Sequence, residues 1–546
     1  PPIASPTPLR FAIGEAYRLA EPDSVLPLLE SARVSASDSK AIAATARELV
    51  MRLRSKGRGG GVEGLVKEYS LSSQEGIALM CLAEALLRIP DNATRDALIR
   101  DKIATGDWRS HLGDGRSIFV NAATWGLVVS GSLVAPVNER GLGASLSGLI
   151  KRAGEPVIRS GINMAMEMMG EQFVTGETID GALTRASDRE SKGFTYSYDM
   201  LGEAAMTMAD ADRYYVRAQA GRVMDELLPR VRELALLAKR YDIGFNVDAE
   251  EADRLEMSLD ILEALALDDA LGGWNGLGFV IQAYGKRCPF VVDWVVDLAR
   301  RSGHRIMVRL VKGAYWDTEI KRAQVEGLSD FPVFTRKVHT DVSYLACAKK
   351  LLAAREAVFP QFATHNAQTV ATIHRWAGDE FTTGDYEFQC LHGMGEELYE
   401  EVVGPDKLNR PCRIYAPVGT HERLLAYLVR RLLENGANSS FVNRIWDEQV
   451  SIDDLVADPV EEAERIVPPG SPHPLISLPE DLFPDRRNSR GLDPSDESVL
   501  AGLSHELQGS VAVDWRAAPM IAGRSVDRKA EDVTNPGIEL DIVGQV

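Results

Sequence analysis

RIYAPVGTHERLLAYLVRRLLENGANSSF, residues 413–441, is the stretch on which the fold turns. It opens with a short strand-like run, Arg413–Ala416, that stops at Pro417 and Gly419. Thr420 then caps a helix expected from His421 to Glu434, which Asn435-Gly436 ends. Leu425, Leu428, Val429 and Leu432 share one face of that helix, and Tyr427, Arg430, Arg431 and Glu434 share the opposite one. Two adjacent arginines just past the C-terminal end of a strand form a clamp for a carboxylate, because guanidinium forks match it bidentately. The same spacing also suits a solvated face with an Arg430–Glu434 i,i+4 pair.

Upstream, short β-rich runs alternate with amphipathic helices from Gly193 onward. The expected strands are Phe194–Tyr198, Gly244–Asp248, Phe279–Tyr284, Met307–Val311, Gln361–Thr364, Tyr386–Leu391 and Arg413–Ala416. This repetition predicts an α/β fold, a (β/α)8 barrel over 191–450. The count is one short. Two helical runs, Ala204–Tyr215 and Arg217–Arg240, are butted together, and a parallel barrel cannot place two helices outside without returning through the sheet. About one strand and its flanking loops are therefore missing between Tyr215 and Val216.

The rest of the chain frames this barrel. An all-α arm over 1–60, an α-helical domain over 61–140 and a helical linker over 141–190 are expected before it. Within them the helical patterns are Leu9–Leu19, Lys40–Arg54 and a methionine-rich run over Lys151–Val174, whose methionines read as core filler. After the barrel, 451–495 is acidic and proline-rich like a linker, and 496–546 holds a helix over Ser495–Leu507 and a strand-like Ser510–Asp514. The 546 residues carry a formal net charge of −19, which argues against a nucleic-acid partner. Five scattered cysteines without CxxC spacing suit a reduced, cytoplasmic chain with no structural zinc. The uncharged stretch Ser117–Asn138 contains Asn121, Gly126, Gly131 and Pro136, too broken for an independent membrane span.

Active sites of such barrels lie at the C-terminal ends of the strands. The residues that fall there are Asp248, Gln282, Tyr284, Arg309, Lys312, Tyr315, Trp316, Thr364, His365, Asn366, Gln389, Leu391, His392 and Tyr415, with Arg430 and Arg431 on the last helix. Such a pocket suits an anionic ligand together with a flat ring system. It lacks the clustered ligands of a catalytic metal and the paired carboxylates of a glycosidase. Lys312 fits either a Schiff-base lysine or a rim ion pair. Cys390 reads as a small buried hydrophobe. With no GxGxxG after a strand, a dinucleotide here would not be held by a Rossmann domain.

GFTYSYDMLGEAAMT, NVDAEEADRLEMSLD, GFVIQAYGKR, MVRLVKGAYWDTEIKRAQ, FTRKVHTDVSYLACA, FATHNAQT, FQCLHGMGE and the stretch from Tyr415 to Phe441 occur in order. Together they resemble the proline dehydrogenase domain of the bacterial proline utilization A family. The closing PMIAGR…VTNP…DIVGQV is similar to the first hairpin of an aldehyde dehydrogenase, the family's second enzyme. The resemblance implies FAD-dependent oxidation of L-proline to Δ1-pyrroline-5-carboxylate. It further implies electron transfer to a membrane quinone and a location peripheral to the inner membrane. It implies that Arg430 and Arg431 hold the proline carboxylate, that Tyr415, Tyr315 and Leu391 pack its ring, that Asp248 lies beside it, and that Glu203 gates the site through Arg430. Gln282, Arg309, Gly313, Trp316, Thr335, Lys337, Thr364, His365, Asn366, Gln389, Cys390, Glu434 and Ser440 match positions that surround FAD. The family also carries a strand with a KLSALHPRY-like motif whose lysine belongs to the active site. It is missing here at the Tyr215–Val216 junction, where the strand count also failed. No basic ribbon-helix-helix segment starts the sequence, so repressor activity is not expected.

Overall fold

The structure is a computed structural model and describes residues 7–56, 94, 174–200, 223–419, 440–447, 449–511, 515–526 and 529–546. Glu203, Arg430, Arg431 and Glu434 lie outside the described residues, as do the stretch 117–138, the 421–434 helix and all but Val174 of the helix expected from Lys151.

The arm has three helices, α1 (Pro8–Glu15), α2 (Glu21–Ala32) and α3 (Ala36–Lys56). The sequence pattern had given two, because Pro22 and Pro27 punctuate α2. Pro22 falls in its first turn, where no intrahelical N–H is lost, and the buried stripe Val25, Leu28, Leu29 and Ala32 holds the helix across Pro27. Helix α4 (Ile179–Glu190) then leads into strand β1 (Thr195–Met200). Helix α5 (Leu228–Arg240) precedes β2 (Phe245–Val247), and α6 (Leu255–Ala266) precedes β3 (Leu277–Gln282). The alternation continues through α7 (Cys288–Ser302), β4 (Ile306–Val311), α8 (Trp316–Glu326), α9 (Lys337–Ala353), β5 (Val358–Ala363) and α10 (Ala367–Ala377). It closes with β6 (Glu387–Leu391) and β7 (Cys412–Val418).

All seven strands expected from the sequence are present, and every pairing is parallel in the order β1-β7-β6-β5-β4-β3-β2. In a closed eight-stranded barrel an eighth strand would stand between β1 and β2. Here those two strands are the edges of the sheet among the described residues, with the Tyr215–Val216 junction in the chain between them.

Alternation divides each strand's work. Leu277, Phe279, Ile281, Ile306, Val308, Leu310, Val358, Phe362, Phe388, Cys412 and Ile414 belong to the buried apolar layer between sheet and helices. Phe362, Tyr386 and Phe388 meet there edge-on or tilted, with centroids 5.6–6.4 Å apart. The opposite parity, Arg309, Gln361, Glu387, Gln389, Arg413 and Tyr415, points inward and is polar.

In residues 451–495, expected as a linker, the short helix Pro459–Glu464 buries Val460 and Ala463 against Phe334, Val342 and Leu345 beside the arm. Ser510 and Val511 do not start a strand but complete the helix Glu497–Val511. Beyond it the strands Asp532–Asn535 and Ile538–Gln545 pair antiparallel.

The arm is latched by buried polar groups. Glu21 accepts hydrogen bonds from the Thr335 amide (3.0 Å) and hydroxyl (2.7 Å) and lies 2.6 Å from His339 Nδ1. Lys286, fully buried, donates to the Leu19 carbonyl at 2.7 Å and to Asp330 at 3.1 Å. Burial alone would raise the Glu21 pKa, but the hydrogen bonds from His339 and Thr335 outweigh it and hold the carboxyl below its ordinary value. A depressed carboxylate stabilises the fold above its unfolded pKa and ceases to as pH falls through the folded one. Glu21→Ala should cost about 3–5 kcal/mol in urea unfolding, because it strands buried partners. The wild type should release the arm to limited proteolysis as pH falls below the ordinary carboxylate range, and a pH-independent arm would contradict the latch.

Candidate active site

The inward residues near the C-terminal ends of the strands form a chain of side-chain contacts across the mouth. Asp248 directly follows β2, and its Oδ1 accepts from Arg309 Nη1 of β4 at 3.0 Å. The Arg309 guanidinium stands over the Tyr415 ring of β7, 5.1 Å from its centroid. Tyr415 in turn donates a hydrogen bond to Asp199 of β1. Burial pushes the Tyr415 pKa far above the ordinary tyrosine value, the charges of Asp248 and Asp199 raise it further, and Arg309 only partly opposes them. The phenol therefore stays neutral.

Sequence reasoning placed Asp248, Arg309 and Tyr415 here but missed Asp199. Its signal was available, since YSYDM ends β1 with the aspartate in the same inward parity as Ser197, the residue paired with Tyr415.

A second cluster lies one layer deeper. Glu387, buried, accepts from Gln361 Nε2 at 2.8 Å, Gln389 Nε2 at 3.0 Å, and Arg413 Nε and Nη2 at 2.6 and 3.1 Å. Around the rim, the Gln282 amide donates to the Glu250 carbonyl at 2.7 Å and accepts from the Ala314 amide at 3.3 Å. The Tyr315 hydroxyl donates to Glu250 at 3.0 Å. Gly313 has φ +140° with its Cα against the Tyr284 ring, where a Cβ would come within 2.4 Å, so only glycine fits.

After β5, the Thr364 hydroxyl accepts from the Asn366 amide, Asn366 caps α10, and His365 Nε2 accepts from the Leu391 amide at 3.1 Å. Lys312 and Lys337 both pair with Asp341. Burial alone would raise the Asp341 pKa, but the two ammonium groups hold it below the ordinary value. The indole N–H of Trp316 donates to the Phe334 carbonyl at 2.8 Å, and Ser440 precedes the short helix Phe441–Arg444.

Two of the expected cofactor positions turn their side chains away from the barrel interior. Thr335 is committed to the arm and linker: it bonds Glu21 and accepts from the His473 amide at 2.7 Å. The Cys390 side chain has the parity opposite to Gln389 and Leu391 and packs 3.8 Å from the Cys412 thiol in the apolar layer, so its thiol is not in the interior.

The interior holds buried polar atoms in reserve. The Nε of Arg309 and the Oε1 atoms of Gln361 and Gln389 are buried and have no hydrogen-bond partner among the described residues. Native interiors seldom leave such groups unspent unless a ligand or water takes them.

Three family profiles match the chain. Residues 182–444 match the one described as proline dehydrogenase, and residues 7–54 match the proline utilization A proline dehydrogenase N-terminal domain. Residues 61–173 match the DNA-binding domain of proline dehydrogenase, which overturns the exclusion of nucleic acid from net charge. That segment holds 11 Lys and Arg against 13 Asp and Glu, so most of the acidic excess of the whole chain lies elsewhere. The bifunctional protein PutA of Rhizobium meliloti is 61% identical over 580 residues, covering 100% of this chain and 47% of its own length. That of Klebsiella aerogenes is 57% identical over 98% of this chain and 45% of its own length. A structure of proline utilization A with proline bound in remote sites superposes with a TM-score of 0.68 at 43% identity, covering 95% of this chain and 54% of that one. The chain thus spans about half the length of the relatives it matches. The Rhizobium alignment runs over 580 residues against the 546 of this chain, so that relative carries residues this chain lacks. The chain belongs to the proline utilization A family, and its barrel is that family's proline dehydrogenase domain.

Proposed function

We propose that the barrel oxidises L-proline to Δ1-pyrroline-5-carboxylate with FAD as its cofactor. The observation that carries this reading is the Asp199–Tyr415–Arg309–Asp248 chain over a buried layer of unspent polar atoms. The reaction takes a hydride from C5 of proline and a proton from its nitrogen, leaving a C=N bond. A flavin bound in the barrel supplies the hydride acceptor.

The residues of the chain do the rest. Arg309, Gln389 and Gln282 present donors and acceptors for the flat ring, and Lys337, Thr364, His365, Asn366 and Ser440 line the course of the remaining cofactor. Trp316 and Gly313 keep the β4 loop against Tyr284. Arg430 and Arg431 clamp the proline carboxylate and fix its C5 position. Tyr415, Tyr315 and Leu391 exclude water around the ring. Asp248 balances the Arg309 charge, and Glu203 and Glu434 answer the arginines of the last helix.

The family's active-site lysine on the eighth strand has no counterpart in this sequence, so substrate binding rests more heavily on the two arginines. A membrane quinone as electron acceptor, reached by peripheral contact from the cytoplasm, completes the proposal. An aldehyde dehydrogenase half acting on the product belongs to it as well.

A Schiff-base lyase using Lys312 fits the geometry less well. Its partner Asp341 stabilises the charged ammonium, whereas imine formation needs the free amine.

Purified protein should be yellow and should bleach on addition of L-proline; colourless protein that takes up no FAD refutes the proposal. Arg431→Met should raise KM for proline by a factor corresponding to roughly 2–5 kcal/mol, as expected when a buried carboxylate loses a charge-assisted partner. In a pH profile of kcat/KM, the wild type should show no loss from Tyr415 ionisation up to pH of about 10, the ordinary tyrosine pKa. Asp199→Asn removes one negative charge that raises that pKa, so its falling limb should appear at lower pH than in the wild type. Identical limbs in both proteins would separate Tyr415 from the chemistry.

A further inference from the structure

We infer that Glu387 is a positioning residue that sets the polarity of Gln389: by taking the Nε2 hydrogen it leaves Oε1 as the atom offered to the barrel interior. The inference rests on the flavin-binding reading above. An amide can present either of its ends to a ligand, and at Gln389 the choice is made by its neighbours. One carboxylate oxygen of Glu387 accepts from Gln361 Nε2 (2.8 Å), Gln389 Nε2 (3.0 Å) and Arg413 Nε (2.6 Å). A carboxylate has no hydrogen to give, so both glutamines must turn their N–H groups toward it.

Their Oε1 atoms are consequently the ones left buried and unpartnered. Arg413 holds the hub in place by a two-pronged contact with Glu387 and by a 3.0 Å bond to the Tyr196 carbonyl of β1. Gln389 thus offers an acceptor, suited to an N–H or O–H of the cofactor, while Arg309 holds an unpartnered donor Nε. Glu387 touches neither substrate nor cofactor in this scheme and acts through the amide it orients.

The test is a double-mutant cycle read on FAD affinity and on the midpoint potential of the bound flavin, in the full chain. In Glu387→Gln the new amide donates to Gln389 Oε1 as readily as it accepts from Nε2, so the orientation is no longer fixed. Glu387→Gln and Gln389→Met should each weaken FAD binding about tenfold, the equivalent of one hydrogen bond. The double variant should be no weaker than either single one. The potential shift caused by Glu387→Gln should vanish in the Gln389→Met background. Additive losses, about a hundredfold in the double variant, or a potential shift that survives Gln389→Met, would overturn the inference. If Glu387→Gln does not fold, as judged by the apoprotein Tm, Glu387→Asp takes its place, because it keeps the charge beside Arg413 while drawing the carboxylate back. No substrate is used, so a protein that binds FAD without bleaching on proline leaves the cycle readable. Wild-type protein that takes up no FAD overturns both readings.

Discussion

A bridge of side chains from Asp199 through Tyr415 and Arg309 to Asp248 crosses the barrel mouth, and the candidate site depends on it. Around most of the circumference the strands are held by the parallel ladder. Between β1 and β2 the described ladder stops, and the bridge starts on one of these edge strands and ends just past the other. Carboxylate, neutral phenol, guanidinium and carboxylate alternate along it, so each charge has a partner of the opposite sign or a hydrogen-bonding phenol. Removing Asp248 would leave the buried Arg309 guanidinium without its ion-pair partner, which costs more than the pair itself contributes. The bridge therefore also spans the side of the barrel where the ladder of the described residues stops.

The interior below the mouth is costly in stability. Barrel cores are ordinarily filled with branched apolar side chains, yet this one carries an ion pair and two glutamines. Each hydrogen bond there contributes a net 0.5–1.5 kcal/mol at about the usual scale. Each fully buried Phe, Leu or Ile on the outward parity contributes about 1.5–3 kcal/mol. Even and odd positions of the same strand thus do different jobs. The outward parity supplies stability, and the inward parity holds polar atoms in reserve for a ligand.

That division also governs how much was legible. Strands β1 to β7 could be read because their outward apolar runs are short and bounded by turn residues, and Asp248, Arg309, Gln389 and Tyr415 followed from the rule that sites lie at strand C-termini. Helix α2 could not be read, because its interior Pro27 is tolerated only through tertiary burial of Val25 and Leu29. Ser510–Val511 look like a strand locally but continue a helix begun thirteen residues earlier. Glu387 was missed since a carboxylate at the start of a buried strand resembles a surface residue until its three donors, on β5, β6 and β7, are brought together. Thr335 matched a family position, yet nothing near it in sequence indicates that Glu21 reaches it from the arm.

Glu21 and the His473 amide approach Thr335 from opposite ends of the chain, and both bond it within a loop whose next helix carries Lys337 and Asp341. The arm and the segment after the barrel therefore share a joint with the strand-end loops that hold the candidate site. Cutting the chain at 191 and 450 would preserve every rung of the seven-stranded ladder. It would also leave Thr335 and His339 without Glu21 and Lys286 without the Leu19 carbonyl, at about 1–3 kcal/mol for each unsatisfied group. That sum is comparable to the whole stability of a typical domain. The barrel's limits in sequence are accordingly not its limits in energy, and the flanking segments fold as part of it.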